Sequence, residues 1–118
     1  NVVNCNNDAA SSVDNITNAK ELAIGFAISC VLKEDGGISC WGLNDFGQIG
    51  DGTYNFTFAV AVPGLTNVLA VAPGSDHVCA IKSDRTVACW GNASSGQLGN
   101  RVLEDRGPAF VRLTCQGN

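Results

Sequence analysis

The stretch CWGLNDFGQIG, residues 40–50, returns as CWGNASSGQLG at residues 89–99, displaced by 49 positions with no gap. Working outward, the same register aligns residues 11–59 with 60–108 and gives 14 identities in 49 positions. Among them are Val13/Val62, Asn18/Asn67, Gly25/Gly74, Cys30/Cys79, Asp35/Asp84, Trp41/Trp90 and Gln48/Gln97. Conservative pairs such as Ile16/Leu65, Leu32/Ile81 and Ile38/Val87 complete the apolar pattern. A fixed period near 50 with aromatic and glycine signatures indicates propeller blades or another repeat array.

Each unit reads as β structure. Residues 20–24 and 69–73 form a first apolar strand. A hairpin follows, pairing 28–33 with 37–41 in the first unit and 77–82 with 86–90 in the second. Alternation sets Ile28, Cys30 and Leu32 on one face, with Ile38 and Cys40 opposite them. Glu34-Asp35-Gly36 supplies the turn, where glycine accepts a positive φ. No amphipathic helix of useful length is present; Asp14 to Leu22 is the only candidate, and its repeat partner, Pro63 to Val71, does not look helical. A turn centred on Asp35 puts Cys30 opposite Cys40, and one centred on Asp84 puts Cys79 opposite Cys89. Directly opposed residues of an antiparallel pair have Cα atoms about 4.5–5.5 Å apart, within reach of a disulfide. By elimination Cys5 and Cys115 remain, one near each end.

These residues resemble the regulator of chromosome condensation repeat family, whose repeats run approximately G-x-x-H-x-C-A-L-x-x-D-G-x-V-x-C-W-G-x-N-x-x-G-Q-L-G. The second unit matches at Gly74, His77, Cys79, Ala80, Asp84, Val87, Cys89-Trp90-Gly91 and Gly96-Gln97-Leu98-Gly99. The first matches at Gly25, Cys30, Leu32, Asp35-Gly36, Ile38, Cys40-Trp41-Gly42, Asn44 and Gly47-Gln48-Ile49-Gly50. It departs where Ile28 replaces the histidine, and the second unit departs where Ala93 replaces the asparagine. The resemblance implies an all-β chain of two tandem four-stranded propeller-type blades, in a family that usually closes a ring of seven. Seven blades at this period need roughly 340 residues, so 118 cannot close a ring and the expectation is completion by oligomerisation. The domain reading is an extension at 1–12, blades at 13–61 and 62–110, and a partial repeat at 111–118. A following copy is expected beside the Val111 tail, head to tail, with an intersubunit Cys5 to Cys115 disulfide at the seam.

The net charge of −4 and seven scattered Lys and Arg argue against nucleic acid or an acidic membrane surface as partner. No apolar run approaches the ~20 residues that span a bilayer. With no Met and Asn1 first, the expectation is a removed leader or a piece of a longer chain. Six cysteines, an even number, read as disulfides in an oxidising compartment. Their C-x9-C spacing disfavours zinc. Sequons at Asn15, Asn55 and Asn92 fall in expected turns, so the reading is an extracellular chain carrying N-linked glycans.

Catalytic chemistry is not expected. His77 is the sole histidine, and its neighbour Asp76 makes a dyad conceivable, yet the family pattern has histidine there as a framework residue. Ser75, Ser94 and Ser95 lack a G-x-S-x-G context. The acid pairs Glu34-Asp35 and Glu104-Asp105 read as solvated turns rather than a glycosidase pair. Asn44, Asp45 and Asp51 could offer oxygens to calcium, without the full loop that would hold it, so no metal or cofactor is expected. Trp41 and Trp90 read as framework rather than sugar platforms, and Gln48 and Gln97 as ligands of turn backbone. The family's guanine-nucleotide exchange finds no matching residues. The expected function is structural, a self-assembling extracellular filament or coat; the alternative is an oligomeric propeller that recognises a protein or glycan.

Overall fold

A computed structural model describes residues 10, 12–55 and 57–99. Seven strands run in order: β1 (Ala19–Ile24), β2 (Ile28–Lys33), β3 (Ile38–Gly42), β4 (Thr57–Ala61), β5 (Val68–Pro73), β6 (His77–Lys82) and β7 (Val87–Gly91). They form two antiparallel meanders, a four-stranded sheet β1-β2-β3-β4 and a three-stranded sheet β5-β6-β7. No helix occurs among the described residues, and the Asp14 to Leu22 candidate becomes a turn leading into β1. The fourth strand expected of the second blade, 49 positions beyond β4, lies outside the described residues.

The period is kept residue by residue. Strands β5, β6 and β7 begin at 68, 77 and 87, each 49 positions after β1, β2 and β3. Even the irregularities repeat. A bulge separates Ala19 from Glu21 in the first blade and Val68 from Ala70 in the second. The residue before each first strand, Asn18 or Asn67, is left-handed at φ 54° and 55°. That geometry presents the Asn18 carbonyl to the Glu34 amide at 2.9 Å and the Asn67 carbonyl to the Ser83 amide at 2.8 Å. Asparagine tolerates this region because its short polar side chain bonds locally.

The hairpin turn is set by an aspartate. Asp35 Oδ1 accepts from the Gly37 amide at 2.9 Å, and Asp84 Oδ1 accepts from the Thr86 amide at 3.0 Å. Opposed across these hairpins, Cys30 joins Cys40 and Cys79 joins Cys89, each pair with Cα atoms 4.1 Å apart. The glycine of each C-W-G is required twice over. Gly42 (φ 116°) and Gly91 (φ 109°) occupy a conformation that L side chains rarely adopt. A Cβ on Gly42 would also lie 2.4 Å from the Ala27 carbonyl oxygen, and one on Gly91 2.6 Å from that of Asp76. The close approach lets the chain leave the sheet while the following amides, Leu43 and Asn92, bond those same carbonyls at 2.8 and 2.9 Å.

One apolar core runs through both blades. It joins Ile28, Cys30, Leu32, Ile38 and Ile49 of the first to Val62, Leu65, Val68, Val78, Ala80 and Trp90 of the second. Each sheet has a leading face, bearing β2 residues 28, 30 and 32 or β6 residues 77, 79 and 81. Its trailing face carries the intervening positions. The leading face of blade 1 meets the trailing face of blade 2.

Candidate functional site

The contact between the blades shows what one blade needs from the next. Trp90 is fully buried, and its Nε1 donates to the Gln48 carbonyl of the other blade at 2.9 Å. Two backbone bonds flank it: Val68 N to Gly36 O at 3.0 Å and Phe26 N to Gly74 O at 3.3 Å. Gly25 makes room for this approach, since a Cβ there would stand 2.2 Å from the Gly74 oxygen. Burial of the Trp90 ring and of the aliphatic residues around it supplies most of the adhesion, at about 25 cal/mol per Å² of apolar surface.

Each blade has a second face that nothing described covers, and its residues are the repeat equivalents of those buried between the blades. On the trailing side of blade 1, Val13 is 45% exposed where its equivalent Val62 is 4% exposed. Ala19 is exposed where Val68 is buried, and Trp41 is half-buried where Trp90 is sealed. Leu22 (62%) and Ile24 (70%) extend the apolar surface along β1. Val13, Ile16, Ala19, Leu22, Val31 and Trp41 line a shallow groove of about 320 Å³ there. The leading side of blade 2 is open in the complementary way. Ile81 is 47% exposed where Leu32 is fully buried, and His77, Cys79 and Val87 are half-buried where Ile28, Cys30 and Ile38 are sealed. Contiguous exposed apolar surface of this kind marks interaction sites.

Polar groups concentrate in the loops after β3 and β7. Asn44 is fully buried: its Oδ1 accepts from the Ile49 amide at 2.9 Å, and its Nδ2 donates to the carbonyls of Thr53 and Asn55, each at 2.9 Å. Asp51 Oδ1 accepts from the Thr53 amide at 2.9 Å and hydroxyl at 2.8 Å. These side-chain bonds fix the 44–55 loop, and no cluster of three or more His, Cys, Asp or Glu side chains that could hold a metal ion occurs among the described residues. Gln48 and Gln97 do ligate turn backbone, their Oε1 atoms accepting from Phe46 N at 2.9 Å and Ser95 N at 2.8 Å.

His77 Nδ1 lies 3.3 Å from Asp76 Oδ1, and Asn92 Nδ2 donates to Asp76 Oδ2 at 2.9 Å. Partial burial alone would raise the Asp76 pKa, but hydrogen bonds from His77, Asn92 and Ser75 and the nearby His77 charge together take it below the usual carboxylate value. Ser75 thus turns to the carboxylate. Asp84 is also lowered, chiefly by the Thr86 hydroxyl and amide.

The sequence-predicted sites are therefore dispersed. Cys30, Cys40, Cys79 and Cys89 staple separate hairpins, and Cys5 and Cys115 lie outside the described residues, as do Glu104 and Asp105. Asn15 and Asn55 are exposed, whereas Asn92 is 7% exposed with its Nδ2 on Asp76 and its Oδ1 accepting from Ser94 N at 2.8 Å. Of the three sequons, only those two present their amide to solvent. What sequence reasoning missed is which residues face outward at each end. The 49-residue alignment held that information, because each open position has a buried twin.

Comparisons with known proteins agree with the geometry. No curated protein sequence matches the chain. The model of the regulator of chromosome condensation (RCC1) repeat matches residues 19–48 and 68–97. Among solved structures, yeast RCC1 (Prp20), crystallised bound to Kap60, is 21% identical with a TM-score of 0.69, over 83% of this chain and 25% of that one. Human WBSCR16 is 27% identical with a TM-score of 0.68, over 76% of this chain and 24% of that one. Prp20p from Saccharomyces cerevisiae, studied with its binding to Gsp1p and histones, is 21% identical with a TM-score of 0.67, over 80% and 25%. The chain thus spans about a quarter of each propeller it matches. Since the repeat model covers 60 of the 118 residues at the spacing that the strands themselves keep, the chain belongs to the regulator of chromosome condensation repeat family.

Proposed function

We propose that this chain is an extracellular structural module that assembles head to tail with further copies of itself into a filament, coat or ring. The observation that carries the reading is the pair of complementary open faces, each made of residues whose repeat equivalents are buried between the blades. Repeat units of this kind cannot bury their faces singly and are stabilised by neighbours. A leading face at one end and a trailing face at the other make a heterologous contact, which grows until geometry closes it. Two disulfides support an oxidising compartment, and the exposed Asn15 and Asn55 sequons suit glycans there. A Cys5 to Cys115 link between successive copies belongs to the same proposal. Its task is architectural, with no catalytic step. Negative-stain microscopy of the oxidised, purified full chain tests it: rings or fibres with a two-blade repeat are expected, and particles of a single 12.2 kDa chain at every concentration overturn it.

A second reading is supported by the loop after β3. Asn44 holds it rigid from inside while Tyr54, 59% exposed, stands at its surface, a setting suited to recognition. The related yeast propellers bind protein partners, Kap60 in one crystal and Gsp1p and histones in another study. Selective retention of a defined oligomer on an immobilised protein or glycan, lost on Tyr54→Ala, favours that function.

A further inference from the structure

Self-association fixes no register, because two apolar faces can meet in many ways. The internal joint supplies one. Three of its polar contacts run Trp90 Nε1 to Gln48 O, Val68 N to Gly36 O and Phe26 N to Gly74 O. Moved by 49 residues, each has an equivalent donor on one open face and an equivalent acceptor on the other. Trp41 takes the place of Trp90 and Gln97 that of Gln48. Ala19 takes the place of Val68 and Arg85 that of Gly36. Ser75 takes the place of Phe26 and Gly25 that of Gly74.

Resting on the self-assembly reading, we infer that the blade 1 groove is the docking site for the leading face of blade 2 of a second copy, registered by Trp41 Nε1 donating to the Gln97 carbonyl of that copy. Ala19 N bonds the same copy's Arg85 carbonyl, and its Ser75 N bonds the Gly25 carbonyl in return. The occupant is a second copy because the surface it must match is continuous in kind with the joint inside the chain, and one polypeptide carries both halves.

Three features of the backbone support the register. Arg85 adopts φ 68° where Gly36 has 82°, although arginine has no intrinsic preference for that region, and the two turns close by the same bonds, Gly36 N to Lys33 O and Arg85 N to Lys82 O, each at 2.9 Å. The turn before Gln97 repeats that before Gln48: Gly96 N to Ala93 O at 2.9 Å follows Gly47 N to Asn44 O at 3.1 Å, with φ 74° at both glycines. Lastly, Gly74 keeps the small residue that the joint demands at Gly25, even though its own close neighbour here is the His77 ring. The apolar counterparts agree, since Ile81 can fill the role of Leu32 and Leu22 that of Val71.

A complementation experiment tests this. Leu22→Glu spoils the trailing face and Ile81→Glu the leading face; both positions are solvent-exposed in the single chain, so both variants fold. In sedimentation velocity, each variant alone is expected to be a monomer, while their mixture forms a one-to-one dimer through the one intact pair of faces. Adding Trp41→Phe to the Ile81→Glu chain then weakens that dimer about tenfold, the effect of stranding one buried carbonyl. Tryptophan emission shifts to the blue on mixing, because Trp90 is sealed throughout and Trp41 becomes so. If the wild type associates but the mixture stays monomeric, or if Ile81→Glu dimerises alone, the seam is overturned and self-assembly survives by another contact. A wild type that is monomeric at every concentration overturns both.

Discussion

Phenylalanine at Trp90 and, separately, at Trp41 makes the same chemical change at equivalent points of two blades, one covered and one open. At Trp90 the six-membered ring is retained while the indole donor disappears, leaving the Gln48 carbonyl buried and unsatisfied, at a cost of about 1–3 kcal/mol. The lost ring atoms, fully buried, add about 1–2 kcal/mol of transfer and cavity terms. The sum is about 2–5 kcal/mol. Trp41 is half-buried and has no such bond among the described residues, so only part of the apolar term is lost, about 1 kcal/mol or less. Urea unfolding with disulfides intact, at low protein concentration, reads the difference. With a slope of about 1–3 kcal/mol/M, the Trp90→Phe midpoint falls by roughly 1–2 M, and that of Trp41→Phe by a few tenths, with slopes unchanged. Equal shifts would refute the reasoning: the tryptophan would then serve its own blade, and the bond between blades would count for little.

Steric and conformational demands on glycine separate at two sites. Gly25→Ala drives a methyl group into the Gly74 oxygen and should cost about 3 kcal/mol by parting the blades, whereas Gly52→Ala, with φ 85° and open space around it, should cost about 1 kcal/mol in thermal melts. Asn44→Ala strands the Ile49 amide and two carbonyls, so a loss of about 2–4 kcal/mol is expected, together with faster hydrogen exchange at Ile49; an unchanged Ile49 amide would count against the loop's being held from within. The lowered Asp76 pKa stabilises the fold at pH values above the ordinary carboxylate value of 3.8, and that contribution is lost as pH falls through the folded value. Melting temperature should therefore drop below about pH 4, less steeply in Asp76→Asn, and identical slopes in the two proteins would contradict the assignment.

Much of the fold was legible because the repeat wrote it twice. Placing Cys30 opposite Cys40 needed only a turn at Asp35, and the hairpin strands came within a residue of their observed bounds. Less was legible where the two copies diverge. Strand β4 carries no signature of its own, since TFAVA owes its place to pairing with β3, a tertiary contact. The lack of a helix at Asp14 to Leu22 was legible from its non-helical repeat partner, but its cause was not: left-handed Asn18 and the bulge after it commit the chain to a sheet edge. Asn92 looked like a loop acceptor because loop polarity is a sequence property, while its capture by Asp76 depends on two strands meeting. At the candidate site, the glycines and tryptophans were readable as framework. Their division into a sealed set and an open set was not, because it follows from which neighbour is present.

The disulfides have a mechanical consequence. Each closes a loop inside one hairpin, between cysteines 10 positions apart, and neither bridges the two blades. Under tension along the chain, the blades can separate at their non-covalent joint without breaking a covalent bond. Once they unravel, however, the segments between Cys30 and Cys40 and between Cys79 and Cys89 cannot extend. At about 3.5 Å per residue, each withholds roughly 30 Å of contour length. A stretched fibre of such chains would yield early, then stiffen short of its full length, and a reductant would release the remainder.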